Sequence, residues 1–258
     1  MTGSWALLKK DFASYFRSWV GVLTLFGFLI MSGIFFTLFV LGYGQLSLEA
    51  ARQAYEGIGD ITLTGFIMGA FLLNLGVLLL FLVPFLSMRS LAEEKRSGTL
   101  ELLYTYPLTD FEIVLGKYLS LLTQLFLLFL PTLTYVLVVK FLKAKVDWGI
   151  IAGGSLGFIL LGASFLSLGL FFSSLTENQI IASGLTFTSL MLLWMLEWLV
   201  GFLPPVWSTR LGGLAPFAHF RDFPLGIVDL TDVSYFLCSI VFFFFLTLRV
   251  VESRNWKA

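Results

Sequence analysis

Charge is confined to a small part of this chain. No Asp, Glu, Lys or Arg occurs in Ser18 to Leu48, Ile61 to Met88, Tyr118 to Val139, Trp148 to Thr176 or Asn178 to Leu196, runs of 31, 28, 22, 29 and 19 residues. A sixth run, Val233 to Leu248, has 16. A helix needs about 20 predominantly apolar residues to cross the hydrocarbon core of a bilayer, so a water-soluble globule is excluded. The fold expected is all-α: a polytopic membrane protein with one transmembrane domain over 1–258 and spans near 20–41, 66–86, 113–139, 148–172, 180–203 and 233–251. The 16 basic and 16 acidic side chains cancel, so nucleic acid is not an expected partner and the lipid bilayer is. The lone Cys238 excludes an intrachain disulfide framework or a Cys-based cluster, and no metal site is expected.

Six spans leave both termini on one side. If that side is the cytoplasm, the inner segments hold Lys9, Lys10, Arg17, Arg89, Lys95, Arg96, Lys117, Arg249, Arg254 and Lys257, against six cations outside. The positive-inside rule favours this orientation, although Lys140, Lys143 and Lys145 in one outer loop weigh against it. Residues 1–19 do not read as a secretory signal, because the apolar run that follows is too long and lacks a small-x-small cleavage site. Trp5, Leu8, Phe12, Phe16 and Trp19 recur at three and four, with Lys9, Lys10, Asp11 and Arg17 on the other arc. That pattern describes an amphipathic helix in the headgroup plane. The segment 204–232 carries four prolines and three glycines yet stays rich in Leu, Phe and Trp, which suits short broken helices at the outer interface, re-entrant where protein covers the breaks.

The largest single cluster of charge, eight of the 32 charged side chains, lies in the connector 87–112, between the second and third spans. Span 2 is expected to continue as helix through Arg89 to Arg96 and stop at Gly98. A short crosswise helix over Thr99 to Tyr104, with Glu101 in its first turn, then ends at Pro107. Thr109 and Glu112 have the spacing of a capping box opening span 3. Leu100, Leu102, Leu103 and Tyr104 are more apolar than a solvated loop requires, and Glu93, Glu94, Arg96 and Glu101 surround them. Such a helix either receives a partner or rests on headgroups.

The run Glu94, Arg96, Gly98, Thr99, Leu100, Glu101, Leu102, Leu103, Pro107, followed by Glu112, Ile113, Val114, Leu115, Gly116 and Lys117, resembles the ABC-2 type permeases. It is most similar to the branch containing the gliding-motility permease and the permease of the copper-enzyme maturation system of nitrous oxide reductase. Pro216, Phe217, His219, Phe220, Phe223, Gly226, Ile227, Asp229, Asp232, Val233, Tyr235 and Phe236 extend the likeness to the tail. The resemblance implies a type V exporter-like fold in a bacterial inner membrane, with cytoplasmic termini. It also implies that the connector is a coupling helix seated in a cytosolic ABC ATPase subunit. The coupling residues would be Glu93, Glu94, Arg96, Gly98, Thr99, Leu100, Glu101, Leu103, Tyr104 and Pro107. Glu177 and Asn178, in the second inner loop, would make the lesser contact or only cap two helix ends. A second permease copy or a related permease completes the path, and a periplasmic partner is compatible with it.

ATP chemistry requires a glycine-rich phosphate loop, and this chain has none; at Gly116-Lys117, the nearest piece, Tyr118 replaces the hydroxyl residue and Phe111 the first glycine. Hence no catalytic residue and no cofactor are expected here, ATP and Mg belonging to the partner ATPase. An intramembrane protease lacks its histidines, His219 being alone. An ion-coupled secondary transporter would want carboxylates near the bilayer centre. Glu197 is the only one within a span, beside Trp194 and Trp198, where it is expected to snorkel to the headgroups. Asn74 and Gln124 are expected to hydrogen-bond between helices, His219 to bond backbone at the interface, and the Gly153/Gly157 pair to admit a close helix inside the protomer or at a dimer seam. Export, transmembrane mechanical work and an assembly role without solute share all these features.

Overall fold

The computed structural model describes residues 9, 11–12, 14–15, 18–52, 65–99, 109–141 and 146–254. Every described element is helical, and six helices are long and apolar enough to cross a membrane. Span 1 is Trp19–Arg52, longer than its hydropathy suggests because the charge-free run continues to Leu48. Span 2 is Ala70–Ser87, preceded by a π turn at Gly65–Gly69. Span 3 begins at Asp110–Phe129, tightens into a 3-10 turn at Leu130–Thr134 and resumes at Tyr135–Phe141. Pro131 has no backbone donor to continue the ladder. The hydroxyl of Thr132 donates to Phe129 O at 2.6 Å in that turn. Span 4, Trp148–Leu175, is capped by Asp147, whose carboxylate accepts from Gly149 N at 2.9 Å. Span 5 is Gln179–Val200 and span 6 is Leu230–Arg254.

Span 4 is the axis of the molecule, with spans 2 and 6 as its most extensive neighbours. In spans 2 and 4 the apolar windows are 61% and 67% buried, against 17%, 17% and 11% in spans 1, 5 and 6. The core is therefore built on spans 2 and 4, while the outer three spans present Leu, Ile and Phe outward. Asn74 and Gln124 do not bridge helices: Asn74 donates to Ala70 O at 2.8 Å and Gln124 to Ser120 Oγ at 3.3 Å, each within its own helix. A polar side chain satisfied by its own turn needs no neighbour.

The segment between spans 5 and 6 folds into helices Pro205–Gly212 and Pro216–Phe220 and a 3-10 turn Phe223–Leu225. It fills the space that the glycines of span 4 leave open. A Cβ at Gly153 would lie 2.8 Å from Phe223 O, and one at Gly157 2.6 Å from the Phe223 ring. Gly153 and Gly157 thus accept this segment, whereas Gly162 faces Leu125 of span 3 and Gly169 faces Ser87 of span 2. Gly226 turns the chain with φ of 82°, a left-handed conformation that favours glycine. Phe220 and Phe223 are fully buried as a result.

Gly157→Val is therefore expected to destabilise the protein by about 1–3 kcal/mol through overpacking against Phe223. Gly27→Val, where nothing lies within 4 Å of the added carbon, should leave the unfolding temperature in detergent nearly unchanged.

Candidate functional site

The connector does not leave span 2 as one continuous helix. The helix ends at Ser87, a turn over Met88 to Leu91 follows, and a new helix occupies Ala92–Arg96. The cause lies 80 residues further on, in span 4. Ser173, fully buried, accepts from both Leu91 N and Ala92 N at 3.1 Å and donates to Met88 O at 3.4 Å. Its hydroxyl does from another element what an N-cap residue does locally. Lys95 adds a second fastening by donating to Ser174 O. The short helix ends at Gly98, whose φ of 70° is the left-handed stop its position predicts.

Lys117, 3% exposed in its side chain, lies in span 3 between two carboxylates: Glu94 Oε1 at 2.7 Å and Asp11 Oδ2 at 2.8 Å. These three groups come from the connector, the third span and the segment ahead of span 1. Asp11, placed by its spacing on a solvated arc, turns instead toward the interior. Tyr15, on the same segment, is buried and pairs with the Thr24 hydroxyl of span 1. Burial pushes its phenol pKa up from 10.0, since desolvation disfavours the phenolate. A cavity of about 230 Å³ opens beside the lysine, bounded by Asp11, Tyr15, Arg89, Glu93, Thr99 and Ser120.

The expected coupling residues divide accordingly. Glu93, Arg96 and Gly98 are exposed on the short helix, with Glu93 3.9 Å from Arg89, and Thr99 is half-buried, its hydroxyl 2.8 Å from that of Ser97. Glu94 faces inward onto Lys117, so it acts on the surface only by holding the helix in place. Leu100, Glu101, Leu103, Tyr104 and Pro107 lie outside the described residues. Beyond them Thr109 and Glu112 form a capping box, Glu112 N meeting Thr109 Oγ1 at 3.3 Å and Thr109 N meeting Glu112 Oε2 at 3.1 Å. In the second loop, Asn178 caps span 5 by accepting from Ile180 N at 2.9 Å, while Glu177 is exposed. The helix Ala92–Arg96 contacts both the end of span 4 and the start of span 5, which brings the two loops onto one face.

Sequence reasoning missed the lysine. The signal was present in one form: Lys117 falls eight residues into the helix, beyond the Asp110 and Glu112 of its first turn and followed by an uncharged run, too deep to be solvated unless a carboxylate reaches it. Gly116-Lys117 also cannot serve phosphate, since the ammonium is committed to two anions. On the opposite face, Glu197 does not snorkel alone but pairs with Arg221. His219 places Nδ1 2.7 Å from Asp232 and Nε2 3.1 Å from Gly213 O, and stacks on Tyr235 with ring centroids 4.1 Å apart.

Lys117→Met is expected to lower stability by about 3–5 kcal/mol, because the buried Glu94 and the half-buried Asp11 lose their shared cation. Adding Glu94→Gln removes one stranded charge and should recover part of the loss in thermal unfolding. Equal losses for the single and double variants would contradict the ion cluster. Ser173→Ala should cost about 1–2 kcal/mol, as loss of a buried cap does, and loosen amide protection at Leu91 and Ala92 in hydrogen exchange.

No curated protein matches this chain. The model of the family described as ABC-2 family transporter protein matches residues 5–252, which takes in the connector, all six spans and the broken segment ahead of span 6. The chain belongs to the ABC-2 family of transporter proteins, as a multi-pass membrane component of that system.

Proposed function

We propose that the chain is the permease subunit of an ABC-2 exporter in a bacterial inner membrane, with cytoplasmic termini, driven by a separate cytosolic ATPase docked on 97–107. The family implies an ABC ATPase as partner, and this chain has no phosphate loop of its own. The observation that carries the reading is the fastening of the connector. Lys117 ties it to span 3 and to the amino-terminal segment, and Ser173 and Ser174 tie it to span 4. A push on the exposed side of Ala92–Arg96 therefore reaches the core spans without passing a soft joint. ATP and Mg act in the partner, and the work arrives here as displacement of the connector.

Spans 1, 5 and 6, so little buried within one chain, have apolar surface left for lipid and for a second permease copy. The lower contact with the ATPase falls to Glu177, with Asn178 occupied as a cap. The apolar interior suits lipid-linked or amphipathic cargo better than a naked ion. An ion-coupled secondary transporter finds less support, because the carboxylate of span 5 is already paired with Arg221 near the helix end.

Co-purification with the candidate ATPase tests the reading. Glu101→Arg and Leu103→Asp are each expected to lower ATPase recovery roughly tenfold, the scale of reversing a central contact. Retention of the ATPase with full turnover by both variants would refute the docking site. Transport by the purified chain alone in liposomes, driven by an ion gradient without ATP, would refute the energy source.

A further inference from the structure

On the face opposite the connector, spans 2 and 5 and the helix Pro216–Phe220 line an open cavity of about 330 Å³ that the proposed coupling does not use. Its polar lining is Asn74, Glu197 and Arg221, and its aromatic lining is Trp194, Trp198 and Phe217. We propose that this cavity binds the phosphoethanolamine headgroup of a membrane phospholipid.

Each part of that headgroup meets a matching group. The Glu197 carboxylate sits inside, 18% exposed, while the Arg221 guanidinium in contact with it is 63% exposed and reaches toward water. A zwitterion can insert between them, its phosphate on Arg221 and its ammonium on Glu197, and replace one ion pair by two with no net charge change. The indoles of Trp194 and Trp198, with ring centroids 5.5 Å apart, line the same cavity and present π faces suited to a cation. Tryptophan at the end of a span also sets the depth at which headgroups lie. Asn74 gives one amide N–H to Ala70 O at 2.8 Å, which leaves its carbonyl oxygen as an acceptor for the cavity beside a second N–H. An acceptor beside the carboxylate serves a primary ammonium, which has hydrogens to donate, and does nothing for a quaternary one. An anionic phospholipid supplies the phosphate alone. It would draw Arg221 away and leave Glu197 without a cation at the bilayer edge.

Native mass spectrometry of the full chain in detergent, titrated with phosphatidylethanolamine, phosphatidylcholine and phosphatidylglycerol, tests the site. Phosphatidylethanolamine should be retained about tenfold more tightly than phosphatidylglycerol. Glu197→Gln should bring those two within about twofold, and Arg221→Gln should weaken both. Asn74→Leu leaves the ion pair intact, so it tests the cavity without disturbing the fold at Glu197; it should lower phosphatidylethanolamine to the level of phosphatidylcholine. Equal retention of the three lipids by the wild type, or an unchanged preference in Glu197→Gln, would overturn the proposal. Soluble glycerophosphoethanolamine separates the two sources of this chemistry. No shift in unfolding temperature with it, alongside lipid retention, supports a membrane lipid as the occupant. A shift comparable to that from the lipid would assign the cavity to a free phosphodiester and overturn the lipid.

Discussion

A lysine ammonium in a low-dielectric interior stays charged only if anions replace the water it has lost. Lys117 meets that condition with Asp11 and Glu94, and much of the connector face follows from it. Glu94 must turn inward, which sets the rotation of the helix Ala92–Arg96 about its axis and leaves Glu93 and Arg96 on the outside. Asp11 must approach span 3, which draws the amino-terminal segment against the connector and places Tyr15 beside Thr24. Ser173 then completes the arrangement by satisfying the two backbone donors that the new helix exposes. Two carboxylates on one lysine carry a formal excess of one negative charge, and the cavity beside them keeps that excess in reach of water.

The opposite face is organised by space. Glycines on spans 2 and 4 create a trough, and a segment broken by prolines fills it with Phe220 and Phe223. Short helices and a 3-10 turn leave backbone groups that an apolar environment cannot satisfy, so such a segment needs protein around it. Leu225 N meets Asp222 O at 3.0 Å and Gly226 N meets Phe223 O at 2.9 Å, so the breaks bond internally. The clasp of His219 on Asp232 and Gly213 O joins the segment to the head of span 6. The Asp229 carboxyl, at the turn into span 6, is held below the usual carboxylate range by the backbone N–H of Thr231.

The six spans were legible from charge alone, because the cost of burying an unpaired charge clears whole helices of Asp, Glu, Lys and Arg. The capping box at Thr109 and the left-handed stop at Gly98 were legible too, since both are local and involve residues within one turn. The break after Ser87 was not. It depends on Ser173, more than 80 residues away, and nothing in Arg89 to Arg96 records that partner. The pairing of Lys117 was hidden for the same reason, its anions lying 23 and 106 positions away. Glu197 showed where such reading stops: it does lie near the end of span 5, but its cation sits in a segment whose path no periodicity describes. Gly153 and Gly157 signalled a close approach without saying that the broken segment ahead of span 6 makes it.

The ion cluster has a consequence for the order in which the chain is made. Asp11 leaves the ribosome 106 residues ahead of Lys117, which at roughly 5–20 residues per second is a delay of about 5–20 s. During that interval the amino-terminal segment has no buried cation to meet, and its Asp11 stays in water. Spans 1 and 2 therefore enter the bilayer before the segment ahead of them settles. Only when the start of span 3 arrives can the connector and the amino-terminal segment close on it together. Synthesis itself thus delays this joint until both of its flanking spans are in place.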